Sequence, residues 1–138
     1  MRVPVVRIIQ QEEWRQLEAL AADNDFVFDD YAIDWSESFP YWLGAFNQGG
    51  FLVGAINIAP GRPIGRMECL FLHTELSNSQ RGLASKGLTD LGTALLRDNG
   101  SQIVAGMIQD GEESFSKVAS KRGWGELCHS TMFARGVA

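Results

Sequence analysis

An apolar run, MECLFLH, stops at His73. A polar loop follows, then Arg81-Gly82-Leu83-Ala84, then a helical apolar pattern that closes at Asn99-Gly100. A strand, a turn of small residues and a helix N-terminus in succession form a natural seat for phosphate. Backbone N–H groups without helical partners and the positive end of the helix dipole converge there. The stretch is therefore a candidate for gripping a phosphorylated cofactor. The competing reading is an ordinary strand-to-helix turn with Asn78 or Ser79 as its N-cap.

The elements that must hold this stretch are legible on either side of it. Residues 3–9 are rich in β-branched side chains and read as a strand. Residues 11–22 carry Trp14, Leu17, Leu20 and Ala21 at helical spacing. Residues 41–46 and 51–58 are apolar runs separated by Asn47-Gln48-Gly49-Gly50, a hairpin signal. Pro60-Gly61-Arg62-Pro63 makes a second turn, and residues 66–73 form a strand apolar on both faces, as a central strand is. The next helix places Leu83, Leu88, Leu91 and Leu95 on one stripe, with Gly87 and Gly92 suited to close packing. Residues 102–108 are another buried strand. Asp110 caps a helix that Gly123 stops, and residues 126–135 form the last strand. The order β-α-(α)-β-β-β-α-β-α-β predicts an α/β domain spanning 1–138. Its mixed sheet carries helices on both faces.

Composition narrows the classes of function. The 138 residues are 45% hydrophobic and 21% charged, which describes a globular chain. The net charge of −5 argues against a general nucleic-acid binder. The acidity is local: residues 23–37 hold six carboxylates and no Lys or Arg, making this segment a candidate contact for a cationic acceptor or a protein partner. No run approaches the ~18 apolar residues of a membrane span, and the apolar stretch at the start is too short for a signal peptide. Cys69 and Cys128 lie in neither a CxxC pair nor a metal-ligand spacing, so both are expected as reduced thiols of a cytoplasmic-type protein with no metal site. Cys128 and His129 are neighbours on a strand, point to opposite faces, and cannot act as a nucleophile–base pair.

At this point the chain resembles the GNAT superfamily of acyl-CoA N-acyltransferases, from about Trp42 to the C-terminus. The hairpin YWLGAFNQGGFLVGAINI, with Gly54 at a "vG-x-i" position, resembles that family's second and third strands. MECLFLH resembles its fourth, and SQRGLA its cofactor motif, Arg/Gln-x-x-Gly-x-Gly/Ala. IVAGMI leading to a helix that ends in KRGW resembles its closing elements.

The resemblance implies a GNAT-like fold that holds acetyl-CoA between residues 68–73 and 102–108. Leu72, Gln80, Arg81, Gly82, Leu83, Ala84 and Ser85 would form the cofactor site, with added charge from Arg81 and Lys86. It also implies an amine-bearing acceptor, small molecule or protein, whose attack on the thioester is assisted by Glu68 or His73 as base. Two departures stand out. Ser79 occupies the motif's leading Arg/Gln position, and Ala119 occupies the place of a Tyr that often protonates the leaving thiolate, while Ser116 and Ser120 lie near it. These departures support a second expectation: a catalytically silent GNAT-fold protein acting through protein contacts, such as a small assembly protein of a phage virion.

Overall fold

The computed structural model describes residues 2–28, 41–106 and 113–125, the last of these without the side chains of 113–116. The chain divides into two compact units, residues 1–107 and 108–138. The first unit runs β1 (Val5–Ile8), a 3-10 turn (Gln11–Glu13), α1 (Trp14–Asp23), β2 (Trp42–Phe46), β3 (Leu52–Ala59), β4 (Ile64–Leu72), α2 (Asn78–Asp98) and β5 (Ile103–Gly106). The second contains α3 (Glu113–Lys121). The expected strand over 126–135, the Asp110 cap and most of the acidic segment lie outside the described residues.

The five strands form one sheet in sequence order. The β1–β2, β2–β3 and β3–β4 pairs are antiparallel, and β4–β5 is parallel. A meander closed by one crossover is what the order of apolar runs predicts. The hairpin turns where expected, with Gly50 at φ +78.

Helices lie on both faces of the sheet. On the α1 face, Leu17, Leu20 and Ala21 pack with Trp42, Phe46, Leu52, Ala55 and Phe71, and Trp42 stacks on Phe71 with ring centroids 6.0 Å apart. On the other face, α2 lies so close that a Cβ on Gly92 would come within 2.6 Å of the Met67 sulfur. The buried stripe of α2 is Ala84, Leu88, Gly92 and Leu96, not the expected leucine stripe, and Leu83, Leu91 and Leu95 are only half-buried. Small residues at 84 and 92 are what let the helix sit down on the sheet.

Side chains of α1 also tie the helix to strand ends. Gln16 Oε1 accepts from the Leu52 N–H at 3.1 Å. The Asn24 amide donates to the Leu20 and Leu72 carbonyls, at 2.9 and 3.1 Å. In the second unit α3 ends as predicted, the Trp124 N–H returning to the Ala119 carbonyl at 3.1 Å with Gly123 at φ +89.

Candidate functional site

β4 is the element on which the site is built, and it is irregular at its centre. Asn57 pairs with Glu68 and Ala55 with Phe71, so Cys69 and Leu70 together oppose the single residue Ile56. This is a β-bulge, with Cys69 at φ +55, a conformation that residues other than glycine seldom adopt. The extra residue reverses the alternation of the strand. Met67 faces α2, whereas Phe71 joins the α1 core and Leu72 meets the α2 side again. Glu68, half-buried, pairs with Asn57 on the α1 face, where Cys69 packs against the aromatic core. Burial pushes the Cys69 thiol above its ordinary pKa, and the charge of Glu68 pushes it further.

Among the described residues, β5 pairs with β4 from Ile64–Ile103 to Met67–Gly106, and β4 itself runs on to Leu72. The His73 N–H bonds to the Val53 carbonyl at 2.8 Å, so the backbone groups of Phe71 and His73 point to β3. By alternation those of Leu70 and Leu72 point the other way. On that side the Leu72 carbonyl accepts from Asn24. The groups before it run donor, acceptor, donor, a pattern that an extended ligand carrying amides can bond.

The helix that follows starts earlier than the motif suggests. Ser77 is the N-cap of α2, with neither Asn78 nor Ser79 in that role. Its hydroxyl accepts from the Gln80 N–H at 3.2 Å, and Gln80 Oε1 accepts from the Ser77 N–H at 2.8 Å. The spacing Ser-x-x-Gln is a capping-box signature that was there to be read.

Two of the donors at this helix end are therefore used within the protein. The Arg81 N–H is used too, bonding the Ser77 carbonyl at 2.9 Å. The N–H groups of Asn78 and Ser79 remain without an acceptor among the described residues. Gly82, Leu83, Ala84 and Ser85 lie in the body of α2, where backbone N–H groups bond within the helix. Ala84 and Ser85 are buried. Lys86 is paired with Asp90 on the exposed face at 2.6 Å.

The guanidinium of Arg81 reaches back to the His73 carbonyl at 3.3 Å. His73 Nδ1 accepts from the Glu75 N–H at 3.2 Å, and its Nε2 lies 3.8 Å from an Asp23 carboxylate oxygen. The lone pair of the neutral ring is thus committed to the loop, and what it offers is an N–H. His73 and Gln80 also line a cleft of about 540 Å³ bounded by α1, the hairpin turn and the β4–α2 loop, with Asp23, Phe51 and Glu75 at its rim. The structure therefore brings Leu72, His73, Gln80 and Arg81 to one end of the sheet, and sets Glu68 at the bulge. Sequence reasoning missed Asn24, Leu70 and Ser77.

Comparison with solved structures identifies the architecture. The aminoglycoside N-acetyltransferase AAC(6')-Iy, solved with the bisubstrate analogue CoA-S-monomethyl-acetylneamine, superposes with a TM-score of 0.76 at 15% identity, covering 96% of this chain and 98% of its own. AAC(6')-Ih from Acinetobacter baumannii gives 0.72 at 12% identity, covering 97% and 99%. Ribosomal-protein-alanine N-acetyltransferase from Brucella melitensis biovar Abortus 2308 gives 0.72 at 15%, covering 97% and 100%. The fold is that of the GNAT N-acetyltransferases, and the likeness takes in the N-terminal third, which in sequence matched only in its strand–helix order. No protein-family model and no curated protein matches the sequence. These findings lend no support to a phage origin.

Proposed function

We propose that the chain is an acetyl-CoA-dependent N-acetyltransferase. The observation that carries this reading is the run of backbone groups that β4 turns away from β3 at Leu70 and Leu72. The pantetheine arm of CoA contains two amides, and a donor, acceptor and donor in that order complement such an arm lying along the strand. The first turn of α2 then offers the Asn78 and Ser79 N–H groups and the Arg81 side chain to the pyrophosphate. Bound acetyl-CoA would supply the electrophile, its thioester carbonyl. Glu68, beside the bulge, would take a proton from an ammonium acceptor and free the amine to bond to the acetyl carbon. As the carbon–sulfur bond breaks, the nitrogen would release its second proton to solvent and the thiolate would take one up. Solved GNAT neighbours that act on aminoglycosides and on ribosomal-protein alanine make an amine the natural acceptor class.

A second reading is a silent member of the fold acting through protein contacts. It is favoured by the capping box, which occupies the Ser77 and Gln80 donors, and by Ala119 in the usual Tyr position. One experiment separates the two. Acetyl-CoA at 100 times its Kd adds about 2.7 kcal/mol to stability, a rise of several degrees in Tm for a chain of this size. The enzyme reading expects that rise together with release of free thiol on addition of amines. No rise at millimolar acetyl-CoA overturns it. A rise with no turnover over a broad amine panel favours the second reading.

A further inference from the structure

We infer that Asn24, at the C-terminal end of α1, is a positioning residue for the cofactor strand. The inference rests on the reading of β4 as the strand that binds acetyl-CoA.

Asn24 makes two bonds with one amide nitrogen. The bond to the Leu20 carbonyl, at 2.9 Å, is local and closes the helix. The bond to the Leu72 carbonyl, at 3.1 Å, crosses 48 residues of sequence to the last residue of β4. Leu72 directs its carbonyl away from β3. Without Asn24 the edge would present donor, acceptor, donor, acceptor. With it the final acceptor is filled, and the strand offers a register that begins and ends on a donor.

The same bond fixes the strand in space. The bulge at Cys69 frees β4 from regular alternation, and the Asn24 clamp holds the end of the segment three residues further on. A strand edge that must match the spacing of a ligand's amides benefits from being held at both ends, because the ordering has already been done before the ligand arrives.

An internal control exists. Asn99 closes α2 in the same local way, its Nδ2 donating to the Leu95 carbonyl at 2.8 Å, with no side-chain bond to a strand. Asn24→Ala and Asn99→Ala therefore lose equivalent helix-end bonds, and only the first loses the tie to β4. CoA affinity of the full chain is measured by calorimetry, and hydrogen exchange at the Phe71 and His73 amides, which face β3, is measured without ligand.

Asn24→Ala is expected to weaken CoA binding about 3- to 10-fold, the effect of about one net hydrogen bond, and to speed exchange at Phe71 and His73. Asn99→Ala should leave both unchanged at a similar loss of Tm. If Asn24→Ala does not fold, Asn24→Gly keeps a residue favoured at helix ends while removing the amide. Unchanged affinity and unchanged exchange in a folded Asn24 variant overturn the inference. Should the wild type bind no CoA, the acetyltransferase reading fails by itself, while exchange at Phe71 and His73 still decides whether Asn24 holds the strand.

Discussion

Glu68 and His73 were both candidates for the base, and their surroundings separate them. A general base needs an uncommitted lone pair within reach of the acceptor's proton. His73 spends its Nδ1 lone pair on the Glu75 N–H and turns Nε2 toward Asp23, so in this arrangement it donates. Glu68 sits half-buried at the bulge, on the strand beside which the thioester would lie. Glu68→Gln is therefore expected to lower kcat by about 100-fold with little change in KM for acetyl-CoA, since base catalysis contributes on the order of 10²–10⁴. His73→Gln should change kcat by less than about threefold. Steady-state kinetics on any accepted amine checks both, and the reverse ranking would move the base to the loop. The resemblance pointed to these residues, but it did not carry the geometry that separates them. The ranking depends on a backbone N–H two residues after His73, and no side-chain pattern records where such a group points.

At the scale of elements, strands and helices were legible because their apolar spacing is strong. The details that shape the site were not. Nothing in Met67-Glu68-Cys69-Leu70-Phe71 announces a bulge: there is no glycine, and the run reads as an unbroken central strand. The start of α2 was written in Ser77 and Gln80, but the glycine motif drew attention four residues further on. The buried stripe of α2 was hidden by Ala84 and Gly92, whose value is that they are small. The bulge also makes a prediction. Cys69 holds φ +55, which a β-branched residue tolerates poorly, whereas glycine adopts it freely. Cys69→Val should cost about 1–3 kcal/mol in urea unfolding and weaken CoA binding, because straightening the strand re-aims the Leu70 and Leu72 backbone groups. Cys69→Gly should keep CoA affinity near wild type. A valine variant with wild-type affinity would show that the bulge does not shape the cofactor edge.

Across the whole molecule, 12–15% identity to solved acetyltransferases goes with superposition over nearly the full chain, so the architecture rests on pattern and packing more than on particular residues. Two ionisable groups in the first unit turn that packing into a pH profile. The Arg7 guanidinium bonds both oxygens of Glu13, at 2.7 and 2.8 Å, joining β1 to the entry of α1, and lies 3.9 Å from the centre of the Phe46 ring. That bond holds the Glu13 carboxyl below the usual range. Its contribution is present above the unfolded pKa of about 4.3, and is lost as pH falls through the folded value. Cys69 has the opposite sign. Burial, with Glu68 beside it, raises the thiol, so its contribution is complete below the unfolded pKa of about 8.5 and is lost as pH rises through the folded value. Stability measured by urea unfolding from pH 3 to 10 is thus expected to show a plateau between roughly pH 5 and 8. Glu13→Gln should flatten the acid limb and leave the alkaline one, and Cys69→Ala should do the reverse. An acid limb unchanged by Glu13→Gln would place the acid-labile tie elsewhere in the chain. An alkaline limb unchanged by Cys69→Ala would mean that the bulge thiol ionises as readily folded as unfolded.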